Sequence, residues 1–370
     1  MELATLSDKY GNFFAPAFAV RVGRADLIRD LFLAVSQVEV DLKLGELARF
    51  TFTVVNSYSA KERAFLTGRD DEVLELLKFG AEVDICIGYG DAKSVPLIAS
   101  GMITEITTSF PETGTPELSI AGYDHAFPLS IGKNSRTWSK ALDSTAVHEI
   151  AGFNNLNANI ETTTERYPQI EQNQESDFEF LKKLADRNHF ELYIDQYRTL
   201  HFRKPNDTAT AVVRLAWGEG LLSFKPEANL AGQVAKVEVY GWDHKKKEKI
   251  LGVARAGEES GKKGNGKSGG ERLKAFVTNP DKQPVLRLRQ PVFTQAEAEK
   301  RAKAALNDRA KQFLTGEAET IGLPEIRPDC TVMLDNLGAP FSKTYYVQQA
   351  THKIDSSGYR TKFKVKETGL

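Results

Sequence analysis

Two hydrophobic periods divide the chain, and a period of two comes first. Residues 13–23, F-F-A-P-A-F-A-V-R-V-G, predict a strand, with Pro16 placing it at an edge or a strand start. Val38, Val40, Leu42 and Leu44 alternate with polar residues through 35–44. Gly45 turns the chain, and Phe50, Phe52 and Val54 alternate again, which predicts a hairpin with one wet face. Residues 60–79 carry a charged, helical pattern that ends at Gly80. Three further strands follow: one on Val83, Ile85 and Ile87, one at 98–106 and one at 118–123. Gly90-Asp91 and P-E-T-G at 111–114 supply the turns. The expectation for 1–127 is an antiparallel domain, a small barrel or curled sheet.

Residues 128–208 mix the two periods and predict an α+β middle domain. Leu142, Ala146, Val147 and Ile150 share one face of a helix at 140–151, with Gly152 beyond its end. The densest signal is 174–202, Q-E-S-D-F-E-F-L-K-K-L-A-D-R-N-H-F-E-L-Y-I-D-Q-Y-R-T-L-H-F. Ser176 and Glu179 form a capping box in which each side chain satisfies an orphan amide of the other. Phe178, Leu181 and Ala185, widened by Phe180 and Leu184, make the apolar stripe of a helix of about three turns. The period then returns to two at Phe190, Leu192 and Ile194. A break at Gln196-Tyr197-Arg198 leads to Leu200 and Phe202, which predicts a hairpin.

The rest of the chain, 209–370, predicts a second β domain. Strands are expected at 212–215 and 234–240, with Gly218, Gly220 and Pro226 in the loops between them. Residues 244–272 form a charge- and glycine-rich excursion whose second half is expected to be a mobile surface loop. Thr294 and Glu297 predict a second capping box, opening an alanine-rich helix at 295–314 with Ala298, Ala302, Ala305 and Leu306 on its buried face. The all-β end parallels the first domain. G-A-E-V-D-I-C-I-G-Y-G at 80–90 matches R-P-D-C-T-V-M-L-D-N-L-G at 327–338 in pattern. The segments at 101–107 and 118–123 match those at 345–354 and 362–367. The order of strands and turns repeats, which implies a pair of similar barrels flanking the middle domain.

Composition narrows the function classes. With 41% apolar and 27% charged residues, the chain affords a buried core. Lys and Arg number 49 against 50 Asp and Glu, so no whole-chain basic field for nucleic acid exists. Cys86 and Cys330 lie far apart in strand-like runs and read as core residues. No Cys/His set has zinc spacing, so neither metal nor cofactor is expected. The N-terminus lacks a basic and then apolar leader pattern, and no apolar run reaches the roughly 18 residues of a membrane span. The expectation is a protein made in a cytoplasm, with no membrane partner.

The E-S-D-F-E-F-L-K-K-L-A segment resembles the late control D family of phages, which includes gp27-like baseplate hubs and the hub part of type VI secretion VgrG proteins. His189 stands where that family usually has glycine. The left-handed cap then falls to Asn188 or His189. The run at 321–363 resembles the same family through Gly322, Pro324, Pro328, Tyr346, Val347, His352, Gly358, Tyr359, Thr361 and Phe363, with Asp329 where glycine is common. The resemblance implies a structural, non-enzymatic hub of a contractile tail or injection system. It implies a trimeric ring of two barrels per chain, joining a sixfold tail tube to a threefold spike. Its implied partners are further copies of itself, the spike, the tube, other baseplate proteins and the tape measure protein. Its implied motif residues are Ser176, Asp177, Phe178, Glu179, Phe180, Leu181, Gly322, Pro324, Tyr346, His352, Gly358 and Tyr359, all structural. No β-helix repeat follows Leu370, so the spike is expected to be a separate protein, and with no lysozyme-like domain no cell-wall hydrolysis is expected.

Rival chemistry is weaker. G-K-K-G-N-G-K-S at 261–268 has phosphate-loop spacing and would make the protein a nucleotide-binding enzyme through Lys267 and Ser268. No buried strand precedes it, and Gly269-Gly270 discourage the helix that phosphate binding requires. The basic run at 244–249, including Lys245 and Lys249, would serve a DNA-binding module, but it lacks stacking aromatics and specific nucleic acid is not expected. His148-Glu149 lacks a zincin's second histidine, and His352 reads as a core or interface residue. Asp177 and Glu179, two apart on a helix, point away from one another and make a poor acid–base pair.

Overall fold

A computed structural model describes the chain except for residues 208, 244–246, 260–265, 290, 291 and 293, and the side chain of Asp243. Two units divide it: Met1–Pro205 with Thr320–Pro328 and Gln349–Lys362, and Asn206–Glu319 with Asp329–Gln348 and Phe363–Leu370.

In the first unit, alternation decides a long antiparallel ladder. Its strands run in the order Ala25–Asp26, Pro16–Val22, Glu82–Tyr89, Leu97–Ser109, Glu117–Asp124, Arg49–Val55 and Ala34–Lys43, and then residues 349–354. Val38, Val40, Phe50, Phe52, Val54, Ile85 and Ile120 share its buried face. The sheet bends at a bulge between Ile103 and Glu105, where the backbones come close. A Cβ at Gly122 would lie 2.1 Å from the Met102 carbonyl oxygen. The ends of this ladder do not pair with each other among the described residues.

The expected helix at 60–79 is a correction. Only Val73–Leu76 is helical, and Tyr58–Ser59 pairs with Ala64–Phe65 instead. Val73 and Leu77 are buried, but Leu74 and Phe79 face outward, so the apolar stripe lasts a single turn.

The same unit holds the middle segment. The strands Asn134–Leu142 and Arg166–Glu175, unforeseen in a polar stretch, form a ribbon beside the helices Asp143–Phe153 and Asp177–Asn188. The predicted helix at 140–151 therefore starts later, at Asp143. The hairpin Glu191–Ile194 and Thr199–Arg203 forms as expected, with Asn157–Ile160 added in parallel. A second core gathers here around Trp138, Ile150, Phe180, Leu181 and Phe202.

The second unit carries most of a six-strand barrel. Its order is Thr331–Asp335, Val213–Trp217, Gly220–Ala228, Leu314–Ile321, Gly358–Glu367 and Lys343–Asp355, and it closes because the last strand pairs with both the first and its own hairpin partner. Beside it, Lys236–Asp243 is flanked by Glu248–Arg255 and Val285–Arg289. The helix Gln295–Ala310 lies on this small sheet through Ala298, Ala302, Ala305 and Leu306. A Cβ at Gly252 would sit 2.1 Å from the Ala298 backbone, so glycine permits that approach. Thr294 accepts from the Glu297 amide as expected, while the Glu297 carboxylate reaches forward to Arg301 at 2.7 Å.

Two expectations for 244–272 change. Glu248–Arg255 is a strand, and Gly269–Phe276 is a helix despite its opening glycine pair. Ser268 and Glu271 make a full capping box, and both glycines are buried where a side chain would collide. A Cβ at Gly269 would meet the Gln233 oxygen at 2.6 Å, and one at Gly270 the Val234 carbonyl oxygen at 2.5 Å. Close packing and capping outweigh the intrinsic penalty of glycine. The strand triplets behind the inferred repeat are both present, each with neighbours paired in chain order: Glu82–Tyr89, Leu97–Ser109 and Glu117–Asp124, and Thr331–Asp335, Lys343–Asp355 and Gly358–Glu367.

Candidate functional site

Ser176 caps its helix as the spacing predicts. Its hydroxyl accepts from the Glu179 amide at 3.2 Å, and its own amide donates to Glu179 Oε2 at 2.9 Å. These bonds hold the Glu179 carboxyl below its ordinary range. At the other end His189 takes the left-handed conformation, φ 54°, and the Phe190 amide closes on the Ala185 carbonyl at 3.0 Å. Phe178, Phe180 and Leu181 are buried, and Phe180 stacks on Trp138 with centroids 5.3 Å apart.

Asp177 has a role that spacing does not reveal. Its carboxylate accepts from Asn134 Nδ2 at 2.9 Å, from the Arg136 guanidinium and from Gln172 Nε2 at 2.8 Å, with Asn154 Nδ2 at 3.5 Å on the other oxygen. One acidic side chain thus ties both ribbon strands and the preceding helix to the start of its own. Burial pushes its pKa up, but the donors Arg136, Gln172 and Asn134 outweigh burial and hold it low. Arg136 also lies over the Phe153 ring, 5.2 Å from its centroid. A parallel clamp joins the two helices: Asp143, fully buried, accepts from Arg187 Nε at 2.9 Å and from Asn188 Nδ2 at 2.7 Å.

The second motif assembles around His352, which is fully buried. Its Nε2–H donates to the Ile326 carbonyl at 3.0 Å, so Nδ1 accepts from the Tyr359 hydroxyl at 2.8 Å. Burial first, then the nearby Arg327 charge, drives its pKa down to about 3, so the ring is neutral. Gly322 exists for proximity, since a Cβ there would lie 2.0 Å from the Tyr359 ring. The Gly322 amide donates to the Tyr359 carbonyl, and its carbonyl accepts from the Tyr89 hydroxyl, both at 2.9 Å. Pro324 is buried beside them, and Gly358 takes φ 104° in the hairpin turn. Arg327 anchors this segment to the first sheet through the Leu97 carbonyl at 2.7 Å and the Ile98 carbonyl at 3.2 Å. Tyr346 lies in the second unit, where its hydroxyl donates to Asp329 at 2.8 Å. The motif residues are therefore not one constellation: two interlocks form in the first unit and a third contact in the second. Each is a packing and hydrogen-bonding device.

The rival motifs fare as follows. Residues 261–265 of the phosphate-loop pattern lie outside the described residues. Ser268, whose hydroxyl would have to meet a metal–phosphate group, is fully buried, donates to Glu259 at 2.8 Å and caps its helix. Of the basic run, 244–246 lie outside the described residues and Lys249 is exposed in a strand. Glu149 accepts from the Trp138 indole at 2.7 Å. Among the described residues no group of three or more His, Cys, Asp and Glu is arranged to hold a metal.

One further site escaped sequence reasoning. In the first unit a cleft of about 230 Å³ is lined by Ile98, Ala99, Ser100, Asp124, Ile194 and Asp195, among others. Asp124 is 5% exposed. A signal for it exists in retrospect, because Leu118, Ile120, Gly122 and Asp124 share the inward phase of one strand.

A family model described as Alg8 N-terminal domain matches residues 24–356. No curated protein sequence matches the chain. Among solved structures, the fold is shared with the 43 kDa tail protein of prophage MuSo2 from Shewanella oneidensis, at 12% identity and TM-score 0.71, covering 96% of this chain and 99% of that one. It is shared equally with a tail protein from Neisseria meningitidis MC58, at 14% identity and TM-score 0.70, covering 96% and 97%. An E. coli component of the type VI secretion system, itself similar in structure to the T4 tail proteins gp27 and gp5, matches at 10% identity and TM-score 0.55, covering 94% and 76%. The chain has the gp27- and VgrG-like fold that the E-S-D-F and G-x-P resemblances imply.

Proposed function

This chain belongs to the family described as the Alg8 N-terminal domain, and from the fold it shares with tail proteins we infer that it is a structural hub subunit of a contractile tail or injection apparatus. The observation that carries the reading is the tail-protein fold, which spans nearly the whole of this chain and nearly the whole of two tail proteins, one of them from a prophage. The device-like character of the motif residues agrees with it: Asp177, His352 and Tyr359 spend their polar atoms on the fold itself.

In this reading three copies form a ring. The curled first sheet and the closed barrel act as two versions of one module, giving six similar positions that face a sixfold tube, while the threefold axis receives the spike. Such closure also protects strand edges from uncontrolled pairing. The protein assembles in the bacterial cytoplasm and then becomes part of the particle. Its work is done by surfaces rather than by catalysis.

The test is solution mass by light scattering with electron-microscope class averages, on the protein alone and with its spike and tube neighbours. The expected result is roughly 123 kDa, three times the 41.1 kDa chain, and a ring with six lobes. A monomer that forms no ring even beside those neighbours refutes the hub reading.

A further inference from the structure

The cleft in the first unit holds a carboxylate without a countercharge. The Asp124 side chain receives the Ala126 amide at 3.1 Å, the Asp124 amide donates to the Ala48 carbonyl at 3.0 Å, and no cation among the described residues pairs with the carboxyl. The charged side chains lining the cleft are otherwise engaged. Lys43 pairs with Glu46 at 2.5 Å, and Asp195 with His201 at 2.9 Å. Arg327 spends its guanidinium on main-chain carbonyls and Gln196. His125, next to Asp124 in sequence, meets Ser100 at 3.2 Å through Nε2, and its Nδ1 is buried without a partner. The remaining wall is apolar, on Ile98, Ala99 and Ile194. A buried acid beside an apolar channel fits a guest with a positive head and a hydrocarbon stem.

We propose that this cleft binds an alkylammonium or guanidinium group, its stem along Ile98, Ala99 and Ile194 and its charge against the Asp124 carboxylate. The inference is independent of the hub reading, and its failure would leave that reading standing. Burial pushes the Asp124 carboxyl up to about 7, so in the empty cleft it keeps its proton below neutrality. When the cation enters, the Asp124 O–H bond breaks, the proton leaves to solvent, and the carboxylate pairs with the guest. Binding is therefore tighter by about tenfold at pH 8 than at pH 6, following the ionised fraction of a group that titrates near 7.

The experiment uses the full chain with amide resonances of Ala48 and Ala126 as reporters. The probes are a short lysine-containing peptide, the free diamine cadaverine and neutral n-butanol. Saturable shifts with both cationic probes, stronger at pH 8 and lost in Asp124→Asn, are the expected result. The peptide binding more tightly identifies a side chain of a partner protein as the natural guest. Cadaverine binding more tightly identifies a small amine. Asn keeps the shape and an oxygen that accepts the Ala126 amide, so Asp124→Asn is expected to fold. Should it not, the contrast between cadaverine and n-butanol on the unaltered protein decides the matter. No shift, an equal shift with n-butanol, or undiminished binding in Asp124→Asn overturns the proposal.

Discussion

Replacing Asp177 with alanine removes one acceptor from four donors at once. The carboxylate is 5% exposed and Gln172 is 2% exposed. Gln172 Nε2 also donates to the Glu175 carbonyl at 3.2 Å, so it loses its shorter bond, 2.8 Å, and keeps a weaker one. A buried donor left short of a partner costs about 1–3 kcal/mol, and removing one member of a buried charge pair about 3–5 kcal/mol. Arg136 tempers the second figure, because its side chain is 29% exposed and can turn to water while resting on Phe153. The expected loss is therefore about 3 kcal/mol, concentrated in the middle segment. The sign with pH is fixed by the depressed carboxyl. Its stabilisation is full above the unfolded value of 3.8 and is lost as pH falls through the lower folded value. Amide hydrogen exchange in the helix Asp177–Asn188 reads this locally. Asp177→Ala should lower protection there by a factor of about 100 or more at pH 7, and the gap from the unaltered protein should close in acid. A loss under about 1 kcal/mol, or a gap that persists unchanged at pH 2, would refute the reasoning that this carboxylate is the knot of the segment.

Two further outcomes follow from packing. Gly322→Ala drives a methyl group into the Tyr359 ring, which cannot retreat without breaking its bond to His352. Urea unfolding should show a loss of about 3 kcal/mol, and a change within about 0.5 kcal/mol would exclude the close-approach role. Ser268→Ala should cost about 1–2 kcal/mol and fray the helix Gly269–Phe276, while labelled ATP stays at background binding with or without the change. ATP binding that depends on Ser268 or Lys267 would restore the nucleotide reading.

Local physics made much of this molecule legible without its structure. The Ser176–Glu179 capping box, the left-handed cap at the far end of the same helix and the alternating strands at 35–44, 50–54 and 118–123 depend on residues a few positions apart. Their sequence spacing is their spatial spacing. The polar strands at 134–142 and 166–175 were illegible for the opposite reason. Each is stabilised by its partner across more than twenty intervening residues, and neither has an apolar period of its own. Gly269 and Gly270 read as helix breakers because propensity is local, whereas their burial against Gln233 and Val234 is not. The tertiary structure alone decided that Asp177 gathers donors from three elements, that His352 is sealed neutral between Ile326 and Tyr359, and that Asp124 lies buried at a cleft with no cation paired to it among the described residues. A carboxylate or an imidazole has the same chemistry anywhere in a sequence. What distant segments place around it, and how much water they remove, sets its charge, its partners and its use.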